Sequence, residues 1–246
     1  MSLKLDARVR FHLATVCAVP LCLSLVSVVA AEADAVKSRK GSVLLFGSSS
    51  VNDTFGHVIS EDFERLGFSV TRHGYAAAGL SRPDFRDLRE VLAKLPIERD
   101  VSTIMFYVGA NDAQALWLRP DERSRFNGEQ SVWINWDDQR WATIYEARVA
   151  DLFHVACTRG AKQVIMLAPV DVTNERRQAR LERIRQLQAN AAALSECGHF
   201  VPTGGDDFAP VGEPLRAGDG FHMTRSGAYR VWQRVRQRIL SLLLSS

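Results

Sequence analysis

The chain predicts a three-layer α/β domain built on a parallel sheet of five strands. Three observations carry that prediction. Five short apolar runs have strand character. They alternate with longer stretches of helical pattern, the order expected of strand–helix–strand units. The runs are apolar almost throughout rather than at every second residue, as suits strands covered on both faces.

Taken in order, residues 1–31 stand apart from this pattern. A basic start (Lys4, Arg8, Arg10) precedes an apolar stretch from Phe11 to Val29. The run Val28-Val29-Ala30-Ala31-Glu32-Ala33 then offers cleavage after Ala30, Ala31 or Ala33. That is the layout of an export signal. The apolar stretch is close to membrane-spanning length, so an uncleaved signal anchor is the alternative. Either reading places the remainder in the periplasm or outside the cell, with membrane contact only if the anchor is retained. Residues 32–40 read as a polar linker, and 41–246 as one domain.

Within the domain, strands are expected at 42–47 (SVLLFG), 67–72, 101–108 (VSTIMFYV), 162–168 (KQVIMLA) and 198–202. Helical patterns fall near 52–66, 84–95, 139–158, 174–196 and 224–244. Two stretches break the rhythm. Residues 113–138, with Trp117, Trp133 and Trp136, read as an insertion after the third strand; its tryptophans suit either a flat-faced ligand such as a sugar ring or simple packing. Residues 203–218 form a Gly/Pro-rich loop of the kind that often serves a site.

At 246 residues, with a net charge of +3, the composition is that of an ordinary globular protein. Lys4, Arg8 and Arg10 against Asp6 supply two of those three charges, so nothing in the body demands nucleic acid. The arginine runs at 176–185 and 230–238 read as solvated helix faces. Cys17 and Cys22 lie in the N-terminal segment. Cys157 and Cys197 remain in the body, where a disulfide and two buried thiols are both open.

The residues with chemical potential sit where such a sheet would use them. Ligands bind beyond the carboxyl ends of parallel strands. Gly47-Ser48-Ser49-Ser50 follows the first strand, Ala78-Gly79-Leu80-Ser81 the second and Gly109-Ala110-Asn111-Asp112 the third, while Asp219 and His222 precede the last helix. A serine that attacks a carbonyl needs a base for its proton, and the base needs a third group to fix its tautomer. Ser49, His222 and Asp219 are the candidates. An oxyanion needs aimed donors, for which the backbone N–H groups of Ser49 and Gly79 and the amide of Asn111 are available. The remaining histidines have plain readings: His57 and His154 on helices, His73 before a turn glycine, His199 opening the fifth strand. Asp112 is expected to shape its loop by hydrogen bonding. Arg82 and Arg216 flank the cleft, either to hold an anion or to bond loop carbonyls.

The blocks FGSSS (46–50), AGLSRPDF (78–85), GAND (109–112) and DGFHMTRSG (219–227) together resemble the ordered blocks of the SGNH/GDSL hydrolase superfamily. GLSRPDF, the Trp141…Tyr145…Arg148 helix and LRAGDGFHMT are most similar to an exported bacterial branch of it. The resemblance extends over about residues 41–243. It implies a flavodoxin-like fold, ester chemistry and no metal or organic cofactor. It implies Ser49 as nucleophile, Asp219 and His222 as acid and base, and Ser49, Gly79 and Asn111 as oxyanion donors. One position departs: the first block commonly reads Gly-Asp-Ser, and Ser48 stands here in place of the acid. That leaves Ser48, Ser49 and Ser50 open as the nucleophile, with the G-x-S spacing favouring Ser49.

Three functions follow as expectations. The first is an exported esterase removing short acyl groups, O-acetyl above all, from envelope or extracellular glycans or from small molecules. The second is an O-acyltransferase using the same three residues. The third is a glycan-binding module on this fold without catalysis.

Overall fold

The apolar runs become strands in the expected sequence. β1 (Ser42–Ser48) passes through a 3-10 turn (Ser49–Val51) into α1 (Thr54–Arg65), and β2 (Ser69–Tyr75), α2 (Leu88–Lys94) and β3 (Val101–Tyr107) follow. The insertion carries β4 (Leu116–Trp117), α3 (Pro120–Phe126) and β5 (Trp133–Ile134). Then come α4 (Gln139–Thr158), β6 (Gln163–Leu167), α5 (Glu175–Ala193), β7 (Gly198–Val201) and α6 (Arg225–Leu244). The computed structural model describes residues 41–97, 101–126, 131–204 and 215–244. The expected export segment and linker, and the middle of the Gly/Pro-rich loop, lie outside the described residues.

The main sheet has the order β2-β1-β3-β6-β7, and every pairing in it is parallel. Alternate side chains point to opposite faces. Leu44, Phe46, Ile104, Phe106, Val164 and Met166 share one core with residues of α2, α4 and α5, such as Leu92, Phe153 and Ile184. Val43, Leu45, Met105, Tyr107, Ile165 and Leu167 share the other with α1 and α6, through Phe55, Phe63 and Trp232. This double cover is why the strands are apolar at consecutive positions. Each such buried side chain is worth about 1.5–3 kcal/mol over exposure. The three-layer reading therefore holds.

Two boundaries moved, for local reasons. Gly67 adopts φ +89 as α1 ends, where Gly67 N–H donates to Glu64 and Phe68 N–H to Phe63, so β2 starts at Ser69 rather than 67. It then runs on through the polar Arg72-His73-Gly74, because an edge strand covered less fully tolerates them. Gly74 is thus not a turn residue; it pairs with Gly47. The helix expected from 84 begins at Leu88, because the Asp87 side chain accepts from the N–H groups of Arg89 and Glu90 and caps it.

The insertion is ordered by its own ribbon and by α4. β4 and β5 pair antiparallel. Arg148 of α4, 1% exposed, donates to both oxygens of Glu122 in α3 at 2.8 and 2.5 Å. Cys157, near the end of α4, and Cys197, just before β7, form a disulfide with Cα atoms 6.2 Å apart. That resolves the open choice and ties the last sheet strand to the helix layer.

Candidate functional site

The strand order reverses at β1, between β2 on one side and β3 on the other. The carboxyl ends of these strands carry three of the four blocks singled out in the sequence. Gly47 makes the close approach possible: it has φ +152, and a Cβ there would lie 2.2 Å from the Tyr107 carbonyl oxygen.

The three serines have different settings. Ser48 is the last residue of β1, paired with Tyr75 and buried. Ser50 borders an apolar space between β1, β3 and α1, with Val51, Phe55 and Tyr107. Ser49 opens the 3-10 turn and is half-buried. Its carbonyl accepts from Asn52 N–H at 2.9 Å and Asp53 N–H at 3.1 Å, which closes the turn. Asn52 in turn clamps the turn to β2: its amide donates to Gly74 carbonyl at 2.9 Å and accepts from Gly74 N–H at 3.2 Å.

Asp219 and His222 form a single bonded unit. One Asp219 oxygen accepts the N–H groups of Phe221 and His222 at 2.8 and 2.9 Å; the other lies 2.6 Å from His222 Nδ1. The His222 ring, then those two N–H groups, hold the Asp219 carboxyl down at about 2. It is therefore ionised and accepts only, so Nδ1 carries a proton and donates it to Asp219. Nε2 faces the Asp53 carboxylate at 3.8 Å, which brings the histidine alongside the turn that Ser49 opens. No hydrogen bond joins His222 to Ser49 among the described residues.

The loop holding these two residues is pinned from behind. The Arg216 guanidinium donates to the carbonyls of Val170, Asp171 and Phe221, and Ala217 N–H donates to His222 carbonyl at 2.7 Å. Arg216 thus bonds loop carbonyls, as one of its two readings had it. Arg82 bonds no loop carbonyl among the described residues: it makes a two-bond pair with Asp84 and lies 4.9 Å over the Trp133 ring.

Gly79 and Asn111 come together, for a reason the sequence did not reveal. The Asn111 amide donates to the Ala78 carbonyl at 2.9 Å, one residue from Gly79. A Cβ on Gly79 would sit 2.2 Å from an Asp112 oxygen. Glycine is needed there to admit a buried carboxylate, whatever else passes in front. Asp112 accepts Ser81 N–H at 2.8 Å and the Tyr145 hydroxyl at 3.1 Å, the loop-shaping role expected of it. Burial pushes its carboxyl up, partly offset by the Ser81 and Tyr145 bonds. Arg148 closes the support by donating to the Leu80 carbonyl at 2.5 Å.

The family described as "Protein of unknown function (DUF459)" matches residues 42–238. The chain belongs to that family. No curated protein matches it by sequence. Among solved structures, it is similar to a carbohydrate esterase family 3 protein from Talaromyces cellulolyticus, with TM-score 0.55 and 11% identity over 84% of this chain and 99% of the other. It is similar to an acetyl esterase solved as a serine-to-alanine mutant with acetate ion (TM-score 0.54, 11% identity, 83% and 99%). A GDSL-like lipase from Parabacteroides merdae gives TM-score 0.54 and 13% identity over 83% and 97%. At these identities the likeness is one of fold. This DUF459 chain has the SGNH hydrolase fold.

Several residues around the site escaped the sequence reading. Asn52 and Asp53 carried no signal beyond their place after the serines. The arginine run at 176–185 is more than a solvated face. Arg180 donates to the Ala113 carbonyl at 2.8 Å, Arg183 to Trp136 carbonyl at 3.3 Å and Arg185 to Pro169 carbonyl at 2.9 Å. Extending the buried stripe Leu181, Ile184, Gln188 back by one helical turn reaches Arg177 and Arg180. That turn projects past the strand ends, so these side chains meet loops instead of core. The 230–238 run has a similar exception: Arg236 pairs with the buried Asp62 at 2.6 Å.

Proposed function

We propose that this chain is a serine esterase that removes short acyl groups through an acyl-Ser49 intermediate. The observation that carries the reading is the Asp219–His222 unit, with Nδ1 protonated and Nε2 turned toward the turn that Ser49 opens. Ser49 is the serine of choice because Ser48 is buried in β1 and Ser50 borders apolar core. His222 Nε2 takes the Ser49 proton as the hydroxyl oxygen attacks the ester carbonyl, and Asp219 holds the ring and the imidazolium charge. The N–H groups of Ser49 and Gly79 and the second amide hydrogen of Asn111 receive the oxyanion. The alcohol leaves with the proton from His222, and water then releases the acid by the same steps reversed.

An exported esterase acting on O-acetyl groups of envelope or extracellular glycans is the finer form of the reading. The N-terminal pattern and the Cys157–Cys197 disulfide support export. The acetyl and carbohydrate esterases among the similar folds, and Trp133, 40% exposed beneath Arg82, support an acylated sugar. A fluorophosphonate probe should label the protein at Ser49 and p-nitrophenyl acetate should be turned over, both lost in Ser49→Ala. Folded protein that takes up no probe and hydrolyses no ester overturns the proposal.

A further inference from the structure

We propose that the cleft beside the Asp219–His222 loop is a subsite for an anionic group, a carboxylate or phosphate, carried by the ester; as a substrate assignment it rests on the esterase reading above. The cleft has a volume of about 500 Å³. Ala113, just past Asn111 and Asp112, lines one side of it, and Asp219, Gly220 and Phe221 line another. The first turns of α5 complete it with Arg176, Arg177 and Arg180. The space therefore lies between two of the loops assigned to the reacting centre.

The three arginines reach the cleft from the first turns of one helix. Arg180 is fixed by the Ala113 carbonyl and by the Trp136 ring, 4.9 Å away. Arg177 lies 4.4 Å over the ring of Phe221, the residue before His222, and makes no hydrogen bond through its guanidinium among the described residues. None of the three has an ion pair with a carboxylate among those residues. Asp219, the carboxylate in the cleft, is committed to His222 and two backbone N–H groups. Asp171 nearby is taken by Arg185 and Gln178.

Three arginines thus share a concave space whose lining carboxylate, the ionised Asp219, is held by His222 and two backbone N–H groups and ion-pairs with none of them among the described residues. Burial, and then the charge of Arg180, hold the Arg177 guanidinium below its ordinary value. An anion between the two would relieve the repulsion, and planar guanidinium forks match carboxylate and phosphate oxygens. Its place next to Phe221 suits an ester bearing the anion on its acyl or its alcohol part.

The test uses wild-type protein with phenyl acetate and 4-acetoxybenzoate, a neutral ester and its carboxylated match, and with inorganic phosphate as a probe. The carboxylated ester should be preferred by about tenfold in kcat/KM, mostly through KM, as expected for charge-assisted bonds. The ratio should fall toward one in Arg177→Gln and in the exposed Arg176→Gln, with melting curves confirming that both are folded. Phosphate should compete with the carboxylated ester. Calorimetry on Ser49→Ala protein should show phosphate binding that weakens about tenfold when Arg177→Gln is added. Arginine-dependent phosphate binding without hydrolysis of either ester would uphold the anion site while removing the esterase reading. Hydrolysis of both esters at equal efficiency, with no phosphate binding, would overturn the subsite and leave the esterase standing.

Discussion

Replacing Arg148 with methionine should destabilise the protein more than any surface change of equal size. Among the described residues its guanidinium makes four bonds: two to the buried Glu122, one to the carbonyl of buried Leu80 and one to the carbonyl of half-buried Trp117 at 2.6 Å. Without it, Glu122 keeps its charge in a buried site, with Arg119 still 3.5 Å away. Breaking one side of such a pair costs about 3–5 kcal/mol. For a domain of this size that lowers Tm by about 6–20 °C. Removing the stranded charge should restore much of the loss, so Glu122→Gln/Arg148→Met should melt above Arg148→Met alone. The pH dependence has a definite sign. Burial would raise the Glu122 carboxyl, but the Arg148 bonds and charge, with help from Arg119, outweigh it and leave it below the ordinary glutamate value. The pair's contribution is therefore complete above that ordinary value and is lost as the pH falls through the lower, folded one. In Arg148→Met the deficit should shrink on acidification, since protonation removes the unpaired charge. Thermal and urea unfolding across pH would measure all of this. A loss below about 1 kcal/mol, or a double variant no more stable than the single, would refute the account.

Asp219→Asn should lower kcat by roughly 10³–10⁴-fold with a small change in KM, since an amide no longer imposes the Nδ1–H tautomer; steady-state kinetics on an acetyl ester checks it. Because the wild-type carboxyl sits at about 2, its stabilising contribution is present above the ordinary aspartate value and is lost only as the pH falls toward 2. Asp219 should accordingly add no break to the rate profile near neutrality. Reducing the Cys157–Cys197 disulfide should lower Tm by about 8–16 °C. The bridge spans 40 residues, and loop-closure entropy assigns a bridge of that span about 4 kcal/mol. Calorimetric scans with and without reductant give the comparison.

How far the sequence could be read depended on whether a signal was local. The parallel sheet was legible because its strands are covered on both faces, which writes consecutive apolar residues such as Val43-Leu44-Leu45-Phe46 into the chain. β2 was placed two to three residues early because an edge strand lacks that pressure. The Asp219–His222 unit was legible because a three-residue spacing lets one carboxylate bind both the backbone and the ring. Asp53 was not, since only the folded turn brings its carboxylate to 3.8 Å from His222 Nε2. Arg148 and Glu122 are 26 residues apart and ordinary in type; nothing local marks either as buried.

Gly79 meets a second demand beside the one its place in the site suggests. A glycine beside a reacting centre invites the explanation that the backbone must approach the substrate. The structure supplies a different constraint, since any Cβ would collide with Asp112 on the inner side of the loop. The two demands are separable. If glycine served only the outer face, a small Asp112 variant would have no bearing on Gly79→Ala. If the inner contact dominates, Asp112→Gly should make room for the added methyl and offset part of the damage, although Ser81 N–H and the Tyr145 hydroxyl would lose their acceptor. The support behind the loop thus constrains position 79 through Asp112, whatever chemistry lies in front of it. Two residues of α4, Tyr145 and Arg148, hold that support in place by bonding Asp112 and the Leu80 carbonyl.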